Sequence, residues 1–359
     1  MEMAWLDQPR AVREGEELDE AKLIAYLQEK LPEPIGPLTI EQFPSGHSNL
    51  TYLLRIGAKE YVLRRPPFGA KIKTAHDMGR EFRILSHLIK VYEKVPRPLL
   101  YCEDEAVLGA PFYIMERVHG VILRKELPPG LIPPAPLMRR ISEALIDNFV
   151  QIHSINYQQA GLGDMGKAAG YIARQVHGWT ERYRNAATDD IPELEATARW
   201  LADNMPADIP ATMIHNDYKY DNLVLDPTDF TRIIAVLDWE MATIGNPLMD
   251  LGTSLGYWIE PGDPDELQAL RFGPTMLPGN LTRGELIERY AAQSGRDISD
   301  MLFYYVYALF KIAGIAQQIY HRYKTGFSRD KRFALMILGI HAIGKAAQRA
   351  IQTGNITVK

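Results

Sequence analysis

Residues 214–241 read IHNDYKYDNLVLDPTDFTRIIAVLDWEM, a polar segment followed by two short apolar runs and an isolated carboxylate. The runs 223–225 and 233–237 are rich in β-forming residues, and the Asp-Pro-Thr-Asp sequence at 226–229 is a turn signal, which predicts a β-hairpin. Such a hairpin would place Asn222 at the start of one strand and Asp238 at the end of the other. Hard oxygen ligands of this kind suit Mg²⁺ held beside a phosphate chain. Asp217 stands just before that site, where its carboxylate could accept a proton.

The spacing of these polar residues resembles that of known kinases. The pattern His-x-Asp-x-Lys-x-x-Asn, with a later hydrophobic-Asp pair, resembles the protein-kinase words H-R-D-L-x-x-x-N and D-F-G. It is more similar to the aminoglycoside-phosphotransferase-like small-molecule kinases, whose signature resembles H-G-D-x-x-x-x-N followed by I-D-W-E. The corresponding words here are His-Asn-Asp at 215–217 with Asn222, and Leu-Asp-Trp-Glu at 237–240. The wording SGHSNLTYLL, YVLRRPP and VLDWEMATIGNPLMDLG further resembles the branch also found fused to acyl-CoA dehydrogenases.

Alternation and helical spacing predict an α+β fold with two lobes. Strand-like runs at 38–43, 50–56, 61–65, 99–103 and 111–118 predict a five-stranded sheet, preceded by a helix at 19–31. Helical spacing dominates beyond residue 120. The resemblance implies a protein-kinase-like arrangement: an N-terminal nucleotide-binding lobe at 1–115, with an antiparallel sheet and a helix, and a mainly helical catalytic and substrate lobe at 116–359.

The polar turn between the first two strand-like runs is a candidate phosphate cradle, because backbone N–H groups in such a turn can bind phosphate oxygens. Its candidate nucleotide-binding residues are Ser45, Gly46, His47, Ser48 and Asn49. It contains one glycine instead of the three of the protein-kinase loop. An ordinary hairpin turn is therefore the alternative interpretation.

The resemblance also assigns a phosphate clamp and an adenine pocket. Arg64 matches the position of the kinase lysine, with Arg65 as a rival, and Glu81 on the predicted helix at 76–88 would orient it. The adenine pocket would be formed at the fifth strand and the crossover that follows it. Its candidate residues are Met115, Glu116 and Val118.

For the chemistry, the resemblance implies transfer of the γ-phosphoryl group of ATP to a hydroxyl of a small molecule, with Mg²⁺ as the metal. Asp217 would be the general base or orienter and Lys219 would contact the transferring phosphoryl group. Asn222 and Asp238 would bind the metal. His215 is expected to brace the loop, and Asp250 is expected to anchor it.

Bulk composition excludes several other classes of protein. The chain has 359 residues, 46% hydrophobic and 24% charged, which is typical of a globular protein. A net charge of −5 gives no reason to expect a nucleic-acid partner, and a single cysteine excludes an internal disulfide. The N-terminus lacks an apolar signal region and no apolar run is long enough for a membrane, so we expect a soluble cytoplasmic protein.

The glycine pattern at 161–168 lacks the preceding strand that a dinucleotide or P-loop site needs.

The acceptor remains open at this level. The acyl-CoA dehydrogenase resemblance favours a hydroxyacyl-CoA-type metabolite, whereas an aminoglycoside kinase would need an acidic pocket. Candidates for such a pocket are Asp263, Asp265, Glu266, Glu285 and Glu288. Two further alternatives are a nucleotide-binding pseudokinase, and a metal-dependent hydrolase with His215, Asp217 and Asp238 as ligands.

Overall fold

The computed structural model describes residues 5–30, 36–44, 49–69, 77–327 and 330–358. Contacts between residues divide the chain into two compact units. The first unit combines Met1–Ile122 with Leu223–Met241, and the second combines Leu123–Asn222 with Ala242–Lys359. The chain therefore enters the first unit twice, and Asn222 and Asp238 belong to different units.

The elements are numbered in chain order. The strands are β1 Leu38–Gln42, β2 Leu50–Ile56, β3 Lys59–Arg65, β4 Pro98–Cys102, β5 Phe112–Glu116, β6 Thr212–Ile214, β7 Leu223–Leu225, β8 Ile233–Val236 and β9 Thr243–Gly245. The helices are α1 Glu20–Lys30, α2 Met78–Leu88, α3 Glu105–Leu108, α4 Ala135–His153, α5 Tyr171–Ala186, α6 Pro192–Asp203, α7 Pro247–Gly256, α8 Asp265–Gln268, α9 Arg283–Ser294, α10 Met301–Lys324 and α11 Met336–Thr353. Short 3₁₀ turns occur at Tyr220–Asn222, Trp239–Met241 and Lys331–Phe333.

The sheet of the first unit has five antiparallel strands in the order β1-β2-β3-β5-β4, which confirms the predicted sheet. Strand β3 begins at Lys59, two residues earlier than its apolar pattern suggests. The reason is the tight turn before it, in which Gly57 takes a φ of 60° and Lys59 pairs directly with Ile56. A glycine adopts this left-handed conformation without a steric penalty, so two residues suffice to reverse the chain.

Helix α1 packs against the sheet because its apolar residues recur at helical spacing. Leu23 and Leu27 are fully buried and join Leu54 and Phe112 in one core cluster. Helix α2 begins at a side-chain cap, where Asp77 accepts a hydrogen bond from the amide of Arg80 at 2.9 Å. Its buried face carries Glu81 along with aliphatic residues, which places a carboxylate inside the unit.

The predicted hairpin is present in the first unit as β7 and β8, which pair antiparallel with Leu223 opposite Val236. Its turn is closed by Asp226, whose carboxylate accepts a hydrogen bond from the amide of Thr228 at 2.7 Å. A bridge between Val121 and Leu225 ties the hairpin to the segment after β5. The hairpin thereby places the Asp238 motif, residues 237–240, in the unit that contains the sheet.

The second unit is mainly helical, with α10 at its centre packed against α5, α7 and α11. Tyr304, Tyr307 and Phe310 of α10 are buried, as expected of core residues. In the glycine pattern at 161–168, Gly166 lies so close to β9 that a Cβ there would be 2.4 Å from Oγ1 of Thr243. That glycine therefore serves packing. Within the described part of the chain, no helix is both long and apolar enough to cross a membrane.

Candidate active site

Two residues of the candidate catalytic motifs adopt an unusual backbone conformation. Asn216 has a φ of 68° and Asp238 a φ of 65°, and across the described residues they are the two non-glycine positions with positive φ. Asparagine and aspartate tolerate this left-handed conformation better than other side chains, at a cost of about 1–2 kcal/mol. Such conformations persist only where the surrounding structure enforces them, and residues that adopt them are frequent at functional sites. Asn216 stands where the family that the sequence resembles usually has glycine, the residue that adopts a positive φ most readily.

In the second unit, three predicted site residues meet around one carboxylate. The ammonium of Lys219 and the side-chain amide of Asn222 both donate to Oδ2 of Asp217, the latter at 3.0 Å. Asn222 also donates to the backbone carbonyl of Asp217 at 2.8 Å. The Lys219 ammonium lies 4.9 Å from the ring centroid of Tyr257. The Asp217 side chain remains 18% exposed, so its carboxylate is oriented by its neighbours and still accessible.

The backbone before Asp217 is held by a buried polar network. The carboxylate of Asp250, fully buried on α7, accepts hydrogen bonds from the amides of His215 at 2.6 Å and Asn216 at 2.7 Å. His153 of α4 lies 3.1 Å from the same carboxylate through Nε2 and 2.7 Å from the Tyr290 hydroxyl through Nδ1. Burial lowers the pKa of His153, so the ring is neutral, donates from Nε2 and accepts at Nδ1. Asp250 is thus the loop anchor that the sequence suggested.

His215 contributes to the loop from inside. Its ring is fully buried, and Nδ1 accepts a hydrogen bond from the amide of Asp217 at 3.3 Å. Burial opposes ionisation of Asp250, but the hydrogen bond from His153 and the loop amides outweigh it and lower the pKa of Asp250. The anchor is therefore a carboxylate at neutral pH.

In the first unit, Arg64 at the end of β3 lies within a cluster of acids. Its guanidinium donates to Glu81 at 2.5 Å, to Asp238 at 3.0 Å and to Glu240 at 3.5 Å. Burial disfavours the charge, but Glu81, Tyr113 and the two acids beside it raise the pKa of Arg64 above its ordinary value. A permanently charged, planar donor is thus fixed beside the Asp238 carboxylate.

Arg65 points elsewhere: its guanidinium lies 3.6 Å from the ring centroid of Phe68 and donates to the carbonyl of Pro66. Of the two candidate arginines, Arg64 is the one that pairs with Glu81.

Glu240 is a site residue that the sequence analysis did not assign. Its carboxylate accepts from the side-chain amide of Asn49 at 2.5 Å, and its backbone carbonyl accepts from Arg80 at 3.0 Å. The end of the candidate phosphate turn is therefore tied to the Asp238 motif. The position of Glu240, two residues after Asp238, was the sequence signal that could have identified it as a site residue. Four predicted residues of that turn, Ser45, Gly46, His47 and Ser48, lie outside the described residues.

The three predicted adenine contacts lie at the end of β5 and beyond it. Met115 is buried opposite Val62 of β3, whereas Glu116 is exposed and donates its amide to the carbonyl of Arg97. Val118 packs against the cluster of buried residues at the β7–β8 hairpin. The structure thus brings Met115 and Val118 to apolar surroundings and leaves Glu116 at the surface.

A pocket in the second unit lies directly beside the catalytic segment. Five of its eleven lining residues are aromatic, and the lining consists of Leu145, Tyr218, Lys219, Tyr220, Asp221, Ser254, Tyr257, Trp258, Phe272, Gly273 and Thr275. The rings of Tyr220 and Trp258 stack with centroids 5.3 Å apart, and Tyr257 meets Phe272 edge to face at 5.1 Å. Burial raises the pKa of Asp221, whose Oδ1 is buried without a hydrogen-bond partner.

Two of the acids considered for a polycation pocket have other partners. Asp263 is fully buried in its side chain and forms an ion pair with Arg283, which also lies 3.3 Å from Glu260. Glu285 caps α9 through Thr282 and pairs with Arg139 at 3.1 Å. Asp265, Glu266 and Glu288 are exposed. Asp263 and Glu285 therefore stabilise the second unit around α9.

A metal-dependent hydrolase would need a cluster of ligands around one point. Within residues 5–30, 36–44, 49–69, 77–327 and 330–358, no group of three or more His, Cys, Asp or Glu side chains is arranged to hold a metal ion. The Nδ1 atom of His215 is already turned toward the amide of Asp217. Among these described residues, the hydrolase alternative therefore lacks a ligand set of this kind.

Comparisons with known proteins show what the whole chain is similar to. Acyl-CoA dehydrogenase family member 11 of Homo sapiens is 39% identical over 316 residues, which cover 86% of this chain and 40% of that protein. The chain thus spans about two fifths of the length of the curated relatives that it matches.

Solved structures show the same fold. A provisionally assigned aminoglycoside phosphotransferase from Ralstonia eutropha JMP134 is 31% identical, with a TM-score of 0.75, and the match covers 93% of this chain and 99% of that one. Spectinomycin phosphotransferase, solved with ADP and spectinomycin, shares the fold at 13% identity, with a TM-score of 0.59 and coverage of 92% and 98%. The predicted α+β, kinase-like fold is confirmed. Because the profile of the phosphotransferase enzyme family also matches residues 39–286, the chain belongs to that family.

Proposed function

We propose that this protein is an ATP-dependent kinase that moves the γ-phosphoryl group of Mg-ATP to a hydroxyl of a small molecule. The observation that carries the proposal is the accessible Asp217 carboxylate, oriented by Lys219 and Asn222 on a segment that Asp250 anchors. In phosphoryl transfer the protein mainly positions the reactants and stabilises developing charge. Asp217 would accept the proton of the attacking hydroxyl, and Lys219 would stabilise charge on the transferring group.

Nucleotide binding is assigned to the residues of the first unit. Arg64, oriented by Glu81, would bind phosphate oxygens, and Asn49 with Ser45, Gly46, His47 and Ser48 before it would contribute polar groups. Met115, Glu116 and Val118 would surround the base. Spectinomycin phosphotransferase, which shares the fold, was solved with ADP, and this supports a nucleotide as the phosphoryl donor.

The metal would be Mg²⁺, which when bound neutralises charge on the phosphate chain. The proposed ligands are the side-chain oxygens of Asn222 and Asp238. Their chemistry fits, because a carboxylate and an amide carbonyl are hard oxygen donors of the kind that Mg²⁺ prefers. The amide nitrogen of Asn222 donates to Asp217, which leaves its oxygen for another partner. Arg64 donates to Oδ1 of Asp238, so this carboxylate is held in place.

For the acceptor, we propose a hydroxyl-bearing metabolite of the hydroxyacyl-CoA type. Aromatic rings form part of the pocket beside Lys219, and such rings suit an apolar body more than a polycation. The name of the human relative also points to acyl thioesters. An aminoglycoside acceptor is less well supported, because Asp263 and Glu285 are paired with arginines within the protein.

Calorimetry with ATP, with and without Mg²⁺, tests the nucleotide site. We expect Mg²⁺-dependent binding by the wild type and its loss in Asp238→Ala, with Asp229→Ala, an exposed carboxylate of the same hairpin, as the matched control. ADP release would then be followed with hydroxyacyl-CoA thioesters and with aminoglycosides. Absence of ATP binding by the wild type would overturn the proposal, whereas binding without turnover on any acceptor would favour the pseudokinase alternative.

A further inference from the structure

Lys311 is a buried cation that none of the roles above uses. It lies on α10 in the otherwise apolar stretch YVYALFKIAGIA at 305–316, and its side chain is 3% exposed. Among the lysines that the structure describes, Lys311 is the one that is buried. An ammonium group inside a protein requires polar compensation. Here its Nζ donates to the backbone carbonyl of Asn216 at 3.1 Å.

The peptide groups of Asn216 are thus held from two sides. Its amide donates to Asp250 of α7 at 2.7 Å, and its carbonyl accepts from Lys311 of α10. This is the residue that adopts the left-handed conformation, with φ at 68°. Such a conformation persists only where surrounding contacts enforce it. Asp217 follows directly in the chain, so the direction of its side chain depends on how firmly Asn216 is held.

The charged groups that act on Lys311 come from two elements. Asp250 of α7 and Asp217 of the catalytic segment favour its ammonium form, whereas Lys219 of the same segment opposes it. From α5, Tyr171 presents its hydroxyl within 3.5 Å of the Asn216 side chain, and burial raises the pKa of that tyrosine, so it stays neutral. Burial is the largest influence on Lys311 and lowers its pKa to about 8.

We propose that Lys311 is a positioning residue, which with Asp250 clamps Asn216 and so fixes the catalytic segment for phosphoryl transfer. The clamp itself is a feature of the second unit, and its catalytic consequence rests on the proposed function. Deprotonation of Lys311 leaves a neutral amine, which donates a weaker hydrogen bond than the ammonium does. The clamp therefore loosens as pH rises through about 8.

The test compares Lys311→Met, which removes the donor, with Lys311→Arg, which keeps a charged donor. Gln317→Met is the matched control, because Gln317 is equally buried on α10 but donates to the carbonyl of Ala186, away from the catalytic segment. Hydrogen exchange by mass spectrometry would follow the peptide spanning 212–222 at pH 7. Loss of one charged hydrogen bond predicts exchange about 10- to 100-fold faster in Lys311→Met and unchanged exchange in Gln317→Met.

A second readout uses Mg-ATP hydrolysis, with water as the acceptor, as a function of pH. We expect kcat of the wild type to fall above pH 8, kcat of Lys311→Met to be low and insensitive to pH there, and Lys311→Arg to remain active above pH 8. The KM for ATP should change little, because the proposed nucleotide-binding residues lie in the first unit.

Equal exchange of the 212–222 peptide in wild type and Lys311→Met would overturn the clamp. If Lys311→Met does not fold, Lys311→Gln, which retains a neutral donor, is predicted to give intermediate exchange, and wild-type exchange there would overturn the clamp equally. Absence of ATP hydrolysis in the wild type would count against the proposed function, while the exchange result would still decide on the clamp.

Discussion

The buried position of Lys311 predicts a pH-dependent difference in stability between the wild type and Lys311→Met. The ordinary pKa of lysine is 10.5, and burial lowers it to about 8 in the folded protein. The folded state therefore binds fewer protons than the unfolded state between these two values. Unfolding free energy rises with pH wherever the unfolded state binds more protons, so this lysine destabilises the fold at neutral pH and ceases to do so as pH approaches 10.5.

The magnitude follows from the size of the shift. Each pKa unit corresponds to about 1.4 kcal/mol, so linkage between pH 7 and pH 10 amounts to about 2–3 kcal/mol. Over that range, the wild type should gain about 2–3 kcal/mol of unfolding free energy relative to Lys311→Met. All other titrating groups are common to both proteins and cancel in the difference.

Urea denaturation followed by tryptophan fluorescence at pH 7, 8.5 and 10 measures this difference, provided that both proteins keep the same dependence on urea. Lys324→Met, an exposed lysine at the end of the same helix, is the control and should differ from the wild type by a constant amount. A difference for Lys311→Met that does not change with pH would show that burial does not lower the pKa of Lys311.

Three further predictions concern the Asp250 network, the Arg64–Glu81 pair and the pocket beside Lys219. Asp250→Asn should lower the unfolding free energy by about 3–5 kcal/mol, because a buried backbone amide then loses its charged acceptor; a loss below about 1 kcal/mol in urea denaturation would contradict this. Arg64→Met and Glu81→Met should each destabilise the first unit, and the double variant should lose less unfolding free energy than the sum of the two single losses. The expected coupling in a double-mutant cycle is about 1–3 kcal/mol, and additive effects would argue against a buried ion pair. Tyr257→Ala should raise the KM for the acceptor and leave calorimetric Mg-ATP affinity unchanged, and the opposite pattern would remove the pocket from acceptor binding.

Local patterns account for most of what the sequence predicted correctly. The strands of the sheet, the β7–β8 hairpin and the helices α1 and α2 follow from alternation, helical spacing and turn residues within about a dozen positions. The kinase-like fold followed from the catalytic words, whose order along the chain resembles that of the family. The start of β3 was predicted two residues late, because the two-residue turn at Gly57 was interpreted as four residues. The fifth strand ends at Glu116, two residues before its predicted end.

Contacts between distant residues account for what the sequence did not predict. The anchor network joins His153 to Tyr290 across 137 positions, and the Glu240 contact joins it to Asn49 across 191. No periodic pattern encodes such pairs. Lys311 did leave a signal, since a lone lysine within an apolar helix must either reach the surface or find a buried partner.

Removing the Asp217 carboxylate tests whether this group assists transfer of a phosphoryl group to a hydroxyl. Acceptor-dependent ADP release should be compared in wild type and Asp217→Ala, using the acceptor that the thioester and aminoglycoside panel identifies. We predict a fall in kcat of about 10²- to 10⁴-fold, the range for loss of a positioned base, with calorimetric Mg-ATP affinity unchanged. Turnover at the wild-type rate in Asp217→Ala would show that this carboxylate does not assist the transfer.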